Sequence, residues 1–254
     1  MVPRVVPVPC LRDNYAYLVV RPGSREALVV DASESEPVLR AAEREGLDLV
    51  GVLATHHHHD HVGGNAEVAA AKPGIAVVCS EYDKDRVPAV TMTVVQGQRF
   101  EIAGMSIDVL SVPGHTLGAV AYVIGDAVFT GDTMFVAGCG RLFEGTPAQM
   151  WDSLKLQIGN LPPATRVYVG HEYTLANARF AKTVDPQNPA VDRLVEKAVA
   201  ARAAGLPTVP STIADELAHN PFLRVSEPAF TARYGDIGDV SVLAAVRKAK
   251  DDFA

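Results

Sequence analysis

Five imidazoles and a carboxylate occupy six consecutive positions of this chain: His56, His57, His58, His59, Asp60 and His61. Imidazole suits zinc, iron and manganese, and a carboxylate adds the charge that holds a divalent cation. The cluster is internal, is interrupted by Asp60 and closes on Gly63 and Gly64, so it does not read as a purification tag. Three more potential ligands, His115, Asp132 and His171, each follow an apolar run and a glycine. Glycine lets the backbone turn sharply there, and a loop at a strand end can carry chemistry. One such histidine alone is usually structural. With the T-H-x-H-x-D-H spacing, the set points to a bound transition metal. No G-x-S-x-G motif offers a serine nucleophile instead.

The elements that must position these groups are legible as short apolar runs. Residues 49–54 read as a buried strand that delivers the histidine cluster. Further strand patterns cover residues 5–8, 15–20, 27–30, 76–79, 105–112, 119–124, 127–131 and 167–169. Helical patterns interleave at 35–45, 65–71 and 146–160, the last with Thr146 as N-cap and Pro147 at the first helical position. Such a mixture suggests packed sheets with helices outside. Beyond His171 the strand signal almost vanishes. Helices are expected over 175–184, 189–204, 213–217 and 240–253, with prolines breaking the loops between them.

A length of 254 residues fits one large domain or two unequal ones, and 48% apolar content can build a sizeable core. No run approaches the ~18 apolar residues of a membrane helix. The first residues lack the long apolar stretch of a secretory signal, so none is expected. Cys10, Cys79 and Cys139 are odd in number and far apart, which argues against a disulfide framework and for a reducing cytoplasm. A net charge of −7 disfavours nucleic acid as a partner. Residues 172–254 carry ten Lys and Arg against eleven Asp and Glu, so an anionic substrate meets less repulsion there than in the acidic remainder.

The T-H-x-H-x-D-H motif with the later histidine, aspartate and histidine resembles the metallo-β-lactamase superfamily. Gly138-Cys139-Gly140-Arg141, Gly170-His171-Glu172-Tyr173 and Arg247-Lys248-Ala249-Lys250-Asp251 narrow the resemblance to glyoxalase II, the hydroxyacylglutathione hydrolases. Asp13-Asn14-Tyr15 and Asn220-Pro221-Phe222 fit the same family. The resemblance implies an α+β fold: an αββα metallo-β-lactamase-like sandwich over residues 1–171, then a small all-helical substrate-binding domain over 172–254.

Carried onto this chain, the resemblance implies two divalent metal ions, with zinc expected first and iron or manganese as alternatives. His56, His58 and His115 would hold one ion; Asp60, His61 and His171 would hold the other; Asp132 would bridge them. Asp60 and Asp132 would also serve catalysis. His57, His59 and Glu172 are not expected to be ligands. Arg141, Tyr173, Arg247 and Lys250 would contact the glutathione moiety, with Arg247 and Lys250 three apart on one helix face. Position 141 is Arg where some members carry Lys, and Phe143 stands where some carry a substrate-binding Tyr. Cys139 reads as a small buried thiol rather than a redox group.

The expected reaction is hydrolysis of S-D-lactoylglutathione to glutathione and D-lactate, by a cytoplasmic monomer with no membrane partner. The alternatives are a glutathione persulfide dioxygenase with a single iron, another hydrolase of the superfamily, and a noncatalytic metal scaffold. The complete ligand set and the terminal cationic helix weigh against all three.

Overall fold

The computed structural model describes residues 2–253. Contacts divide the chain into two compact units. The first holds residues up to Ser111, Gly118–Gly131 and Tyr168–His171; the second holds Val112–Leu117, Asp132–Val167 and the chain from Glu172 onward.

In the first unit β1 (Arg4–Cys10), β2 (Asn14–Val20), β3 (Glu26–Val30), β4 (Asp48–Leu53), β5 (Ala76–Ser80) and β6 (Met92–Val94) form one sheet in chain order. The first three strands are antiparallel and the rest run parallel from β3 onward. Parallel neighbours need crossovers, supplied by α1 (Ser35–Arg44) and by α2 (His59–Val62) with α3 (Asn65–Ala71). Every residue of β2 is buried, which explains its unbroken apolar run. Ala16, Leu18 and Val20 share a core with Val38, Ala41 and Ala42 of α1 and Val68 of α3.

Alternate residues point to the opposite face, where a second sheet lies: β7 (Arg99–Ile102), β8 (Met105–Ser111), β9 (Val120–Ile124) and β10 (Ala127–Phe129), all antiparallel. Tyr17 meets Phe129 and Tyr168 there, at ring distances of 5.6 and 5.2 Å. Aromatic pairs of this kind contribute ~0.5–1.5 kcal/mol beyond area burial. The Tyr17 hydroxyl donates to the Val169 carbonyl at 2.5 Å and the Tyr122 hydroxyl to Ala54 at 3.0 Å. Both bonds fix strand ends that lead into ligand-bearing loops. β6 and β7 have no strong strand signal because they are short and mostly half-exposed.

In the second unit β11 (Met134–Phe135) and β12 (Gly138–Cys139) pair as a short hairpin. The Thr146 capping box opens α4 (Pro147–Trp151). The helix then widens into a π-helical stretch over Asp152–Ile158, where the sequence suggests one regular helix. β13 (Arg166–Tyr168) pairs through Arg166 and Val167 with β14 (Ser211–Thr212), a strand the helical segment does not advertise. The remainder is α5 (Thr174–Val184), α6 (Pro189–Ala203), α7 (Ile213–His219), α8 (Pro228–Tyr234) and α9 (Asp239–Asp251). Asn188 caps α6 ahead of Pro189, and Thr212 caps α7. Among the described residues, α8 is the one helix of this unit that the sequence patterns do not announce.

Buried polar groups hold the β11–β12 hairpin. Glu216 is fully buried and accepts from the Ala137 backbone N–H at 3.0 Å. Asn220 Nδ2 donates to Glu216 at 2.9 Å and to the Gly138 carbonyl at 3.0 Å. Asn177 Nδ2 donates to the Val136 carbonyl at 3.1 Å. α5 and α7 therefore position the loop that runs from Asp132 to Arg141. No helix among the described residues is long and apolar enough to cross a membrane.

Candidate metal centre

The first unit builds a ligand set around two orienting carboxylates. Past the end of β4, the Thr55 backbone N–H donates to Asp31 Oδ1 and its hydroxyl to Oδ2, both at 2.8 Å. Asp31 is buried and has φ of 55°, a left-handed conformation that Asp tolerates better than most residues. His61 Nδ1 lies 2.9 Å from Asp31 Oδ2. The carboxylate accepts that proton, so Nε2 presents a lone pair on the other side of the ring. His171 repeats the arrangement, with Nδ1 2.9 Å from Asp13 Oδ1.

Asp60 completes the triangle. Asn14 Nδ2 donates to the Asp60 carbonyl at 2.9 Å and to its Oδ2 at 3.0 Å. That Oδ2 stands 3.7 Å from His61 Nε2 and 3.4 Å from His171 Nε2. Ligand atoms 2.0–2.2 Å from one tetrahedral ion are roughly 3.4 Å apart, so the three atoms fit a shared cation. They all lie within 4.8 Å of one another.

His56 and His58 form a second convergence in the same unit. Thr55 gives its hydroxyl proton to Asp31, so its oxygen accepts from His56 Nδ1 at 3.1 Å. His56 Nε2 then turns toward His58 Nδ1, 3.1 Å away. His57 faces elsewhere: its Nδ1 lies 3.4 Å from Asp83, and Arg86 Nη1 donates to its Nε2 at 3.2 Å. His59 opens α2. Gly64, which ends this loop, admits no side chain, because a Cβ would lie 2.5 Å from the Ser35 nitrogen.

The second unit brings His115 and Asp132 together. His115 Nδ1 donates to the Arg141 carbonyl at 2.9 Å, which leaves its Nε2 3.5 Å from Asp132 Oδ2. Both line a cavity of about 430 Å³ that also includes Arg141, Tyr173, Arg247 and Lys250. Gly140 lies tight against the pair: a Cβ there would sit 2.1 Å from the Asp132 carbonyl oxygen and 2.9 Å from His115 Nδ1.

The cations that line that cavity differ in character. Arg247 is only 6% exposed; it donates to the Cys139 carbonyl at 2.8 Å and to Asp251 at 3.1 Å, and lies over the Phe222 ring. Lys250 is partly buried over Phe180 and Phe253. Its pKa is held below the usual lysine value, first by burial and then by Arg247, Arg179 and Arg141. Arg141 is exposed, with Nε 3.6 Å from Asp251. The Tyr173 ring packs edge-on against Phe135. Phe143 is 63% exposed, with its ring 5.2 Å from that of His115. Burial pushes the Cys139 thiol up. Glu172 is engaged in structure, accepting from the Thr208 backbone N–H at 3.0 Å and from its hydroxyl at 2.7 Å.

Three residues that bond to the candidate ligands are given no role by the sequence alone: Asp13, Asn14 and Asp31. The signal that could have found Asp31 is its place directly after an apolar strand, as with the ligands themselves.

Residues 11–171 match the metallo-beta-lactamase superfamily, and residues 172–253 match the hydroxyacylglutathione hydrolase C-terminus. A hydroxyacylglutathione hydrolase from Synechococcus sp. (strain JA-3-3Ab) is 48% identical over 98% of this chain and 100% of its own length. This chain belongs to the hydroxyacylglutathione hydrolase family. A family member from Methylococcus capsulatus is 46% identical over 98% of each chain. Among solved structures, ETHE1 from Myxococcus xanthus superposes with a TM-score of 0.65 at 25% identity, covering 98% of this chain and 97% of its own. TTHA1623 in a di-iron-bound form superposes at 0.62 with 26% identity, covering 87% and 100%. The fold is therefore a metallo-β-lactamase domain followed by the family's helical C-terminal domain. Its His/Asp cluster marks a divalent metal site.

Proposed function

We infer that this family member is a metal-dependent thioester hydrolase that cleaves S-D-lactoylglutathione, and related S-2-hydroxyacylglutathiones, to glutathione and the hydroxy acid. The observation that carries the reading is one cavity of about 430 Å³ lined by His115 and Asp132 together with the cations Arg141 and Lys250. Candidate metal ligands and cations on one cavity wall suit a substrate whose thioester is attached to a carboxylate-bearing peptide.

We propose two ions per chain, zinc first, with iron or manganese as alternatives. His56, His58 and His115 would hold one, Asp60, His61 and His171 the other, and Asp132 both. The donor set supports this, because the ring nitrogens of His61 and His171 opposite their orienting carboxylates face Asp60. The di-iron form of TTHA1623 supports the count. Bound cations would lower the pKa of a water toward ~7 and stabilise charge developing on the thioester oxygen.

The residues do the remaining work. Asp60, pinned by Asn14, would orient the attacking water with its carboxylate. Lys250 and Arg141 would bind the glutathione carboxylates, and Tyr173 would border the peptide. Arg247 holds the Cys139 carbonyl and so shapes the cavity wall. A glutathione thiolate leaves without a strong acid, since thiols have a pKa of ~8.5. The dioxygenase alternative has less support, since residues 172–253 match the hydrolase C-terminus. We propose a cytoplasmic monomer; three buried free thiols suit a reducing compartment.

The test is loss of thioester absorbance with S-D-lactoylglutathione, with metal analysis of the same sample. Hydrolysis with close to two ions per chain supports the reading. Oxygen uptake with glutathione persulfide, and no hydrolysis, would replace it.

A further inference from the structure

The helical unit contains a second cavity, of about 380 Å³, that shares no lining residue with the one holding His115 and Asp132. Its volume falls within the range of small-molecule sites, roughly 300–1,000 Å³. One face of α6 builds a wall. Ala190, Arg193, Leu194, Lys197, Ala198 and Ala201 recur at helical spacing along it. Alanine at three of these positions leaves space that longer side chains would fill. Val209 and Val136 add further apolar lining.

Two observations give this cavity a polar character. Ser211 lines it and is only 5% exposed, yet its hydroxyl has no hydrogen-bond partner among the described residues. A buried hydroxyl without a partner costs free energy, so a ligand or water that bonds to it is favoured. Arg193 and Lys197 are exposed, one helical turn apart, and no ion pair with either is found among the described residues. Asp215 is also on the lining and exposed. Two cations against one anion leave a single positive charge, which suits a monoanion better than a phosphate dianion. His219 is already engaged, with Nε2 3.2 Å from Glu216.

We propose that this cavity binds a small aliphatic monocarboxylate, its alkyl body against Leu194, Ala198 and Val209 and its carboxylate between Arg193 and Lys197. The occupant is distinct from the thioester substrate.

Calorimetric titration of the metal-loaded protein with sodium octanoate tests it. Saturable one-to-one binding is expected, and 1-octanol should bind about tenfold more weakly, a difference of 1.4 kcal/mol. The Arg193→Ala/Lys197→Ala double variant lies on the surface and should weaken octanoate by about the same factor. Ala198→Trp fills the cavity and should abolish binding, while hydrolysis of S-D-lactoylglutathione is unchanged in both variants. No saturable binding to the wild type would overturn the proposal. So would octanoate binding by the double variant at wild-type affinity, whatever Ala198→Trp does to folding.

Discussion

The Asp31 carboxylate lies 2.9 Å from His61 Nδ1, and through the Thr55 hydroxyl it also sets the ring of His56. A single buried group thus fixes the proton positions of two histidines proposed to hold different ions. Carboxylates in this role raise ligand basicity and hold ring orientation. Asp31→Asn keeps the volume but replaces one accepting oxygen with an amide donor. Metal affinity is expected to fall ~10–100-fold, measured by competition with a chelating dye. Unchanged affinity would show that the ligands are positioned without Asp31.

Asp60→Asn preserves shape and removes charge from the atom facing His61 and His171. The fold should persist by circular dichroism, while kcat drops about a hundredfold or more. Near-normal turnover would exclude Asp60 from the reaction.

Arg247 and Lys250 are neighbours on α9 but should fail differently. Lys250→Ala is expected to raise KM with little change in kcat. Arg247→Ala leaves the Cys139 carbonyl without its donor, and charge-assisted bonds of this kind contribute about 1.5–3 kcal/mol. Tm should fall along with activity. Arg247→Lys should not restore it, because one ammonium cannot reproduce the guanidinium fork. A stability loss in Lys250→Ala and none in Arg247→Ala would reverse these roles.

The depressed Lys250 pKa has a sign that can be checked. Its folded value lies below the unfolded value, so the ammonium loses its proton at lower pH than an ordinary lysine. KM is expected to rise on the alkaline side with a midpoint below 10.5, the usual value. The folded state binds fewer protons than the unfolded chain in that window, so stability should fall as pH drops through it. Lys250→Ala should flatten both trends; a KM profile unchanged by the substitution would assign the alkaline limb to another group.

Burial raises the Cys10 thiol to about 11 and the Cys79 thiol to about 12. Neither offers appreciable thiolate at neutral pH. Iodoacetamide should leave the native protein unlabelled at both positions and modify them after unfolding, as read by mass spectrometry. Rapid labelling of the native protein would contradict the buried setting.

The His and Asp groups that converge in the structure were legible because His115, Asp132 and His171 all end apolar runs, where strand periodicity and glycine make the turn visible. The orienting groups were not. Asp13 pairs with His171 across most of the first unit's sequence, and no local periodicity announces a partner that distant. The sandwich was readable where strands are fully buried, as in β2, and faint where they are short and half-exposed, as in β6 and β7. The π-helical stretch over Asp152–Ile158 was invisible because its residue types suit an ordinary helix. Arg247 shows the same limit for the site: three-residue spacing puts it beside Lys250, but only packing reveals that it is buried and already bonded.

Hydrolysis by caged divalent ions is tested most directly by stripping the metal and restoring it. The protein is dialysed against a chelator, assayed with S-D-lactoylglutathione, then reloaded with zinc, iron or manganese and assayed again. Loss of turnover on stripping, and its return on reloading with close to two ions per chain, is the expected result. A metal-free preparation that cleaves the thioester as fast as the reloaded one would contradict it.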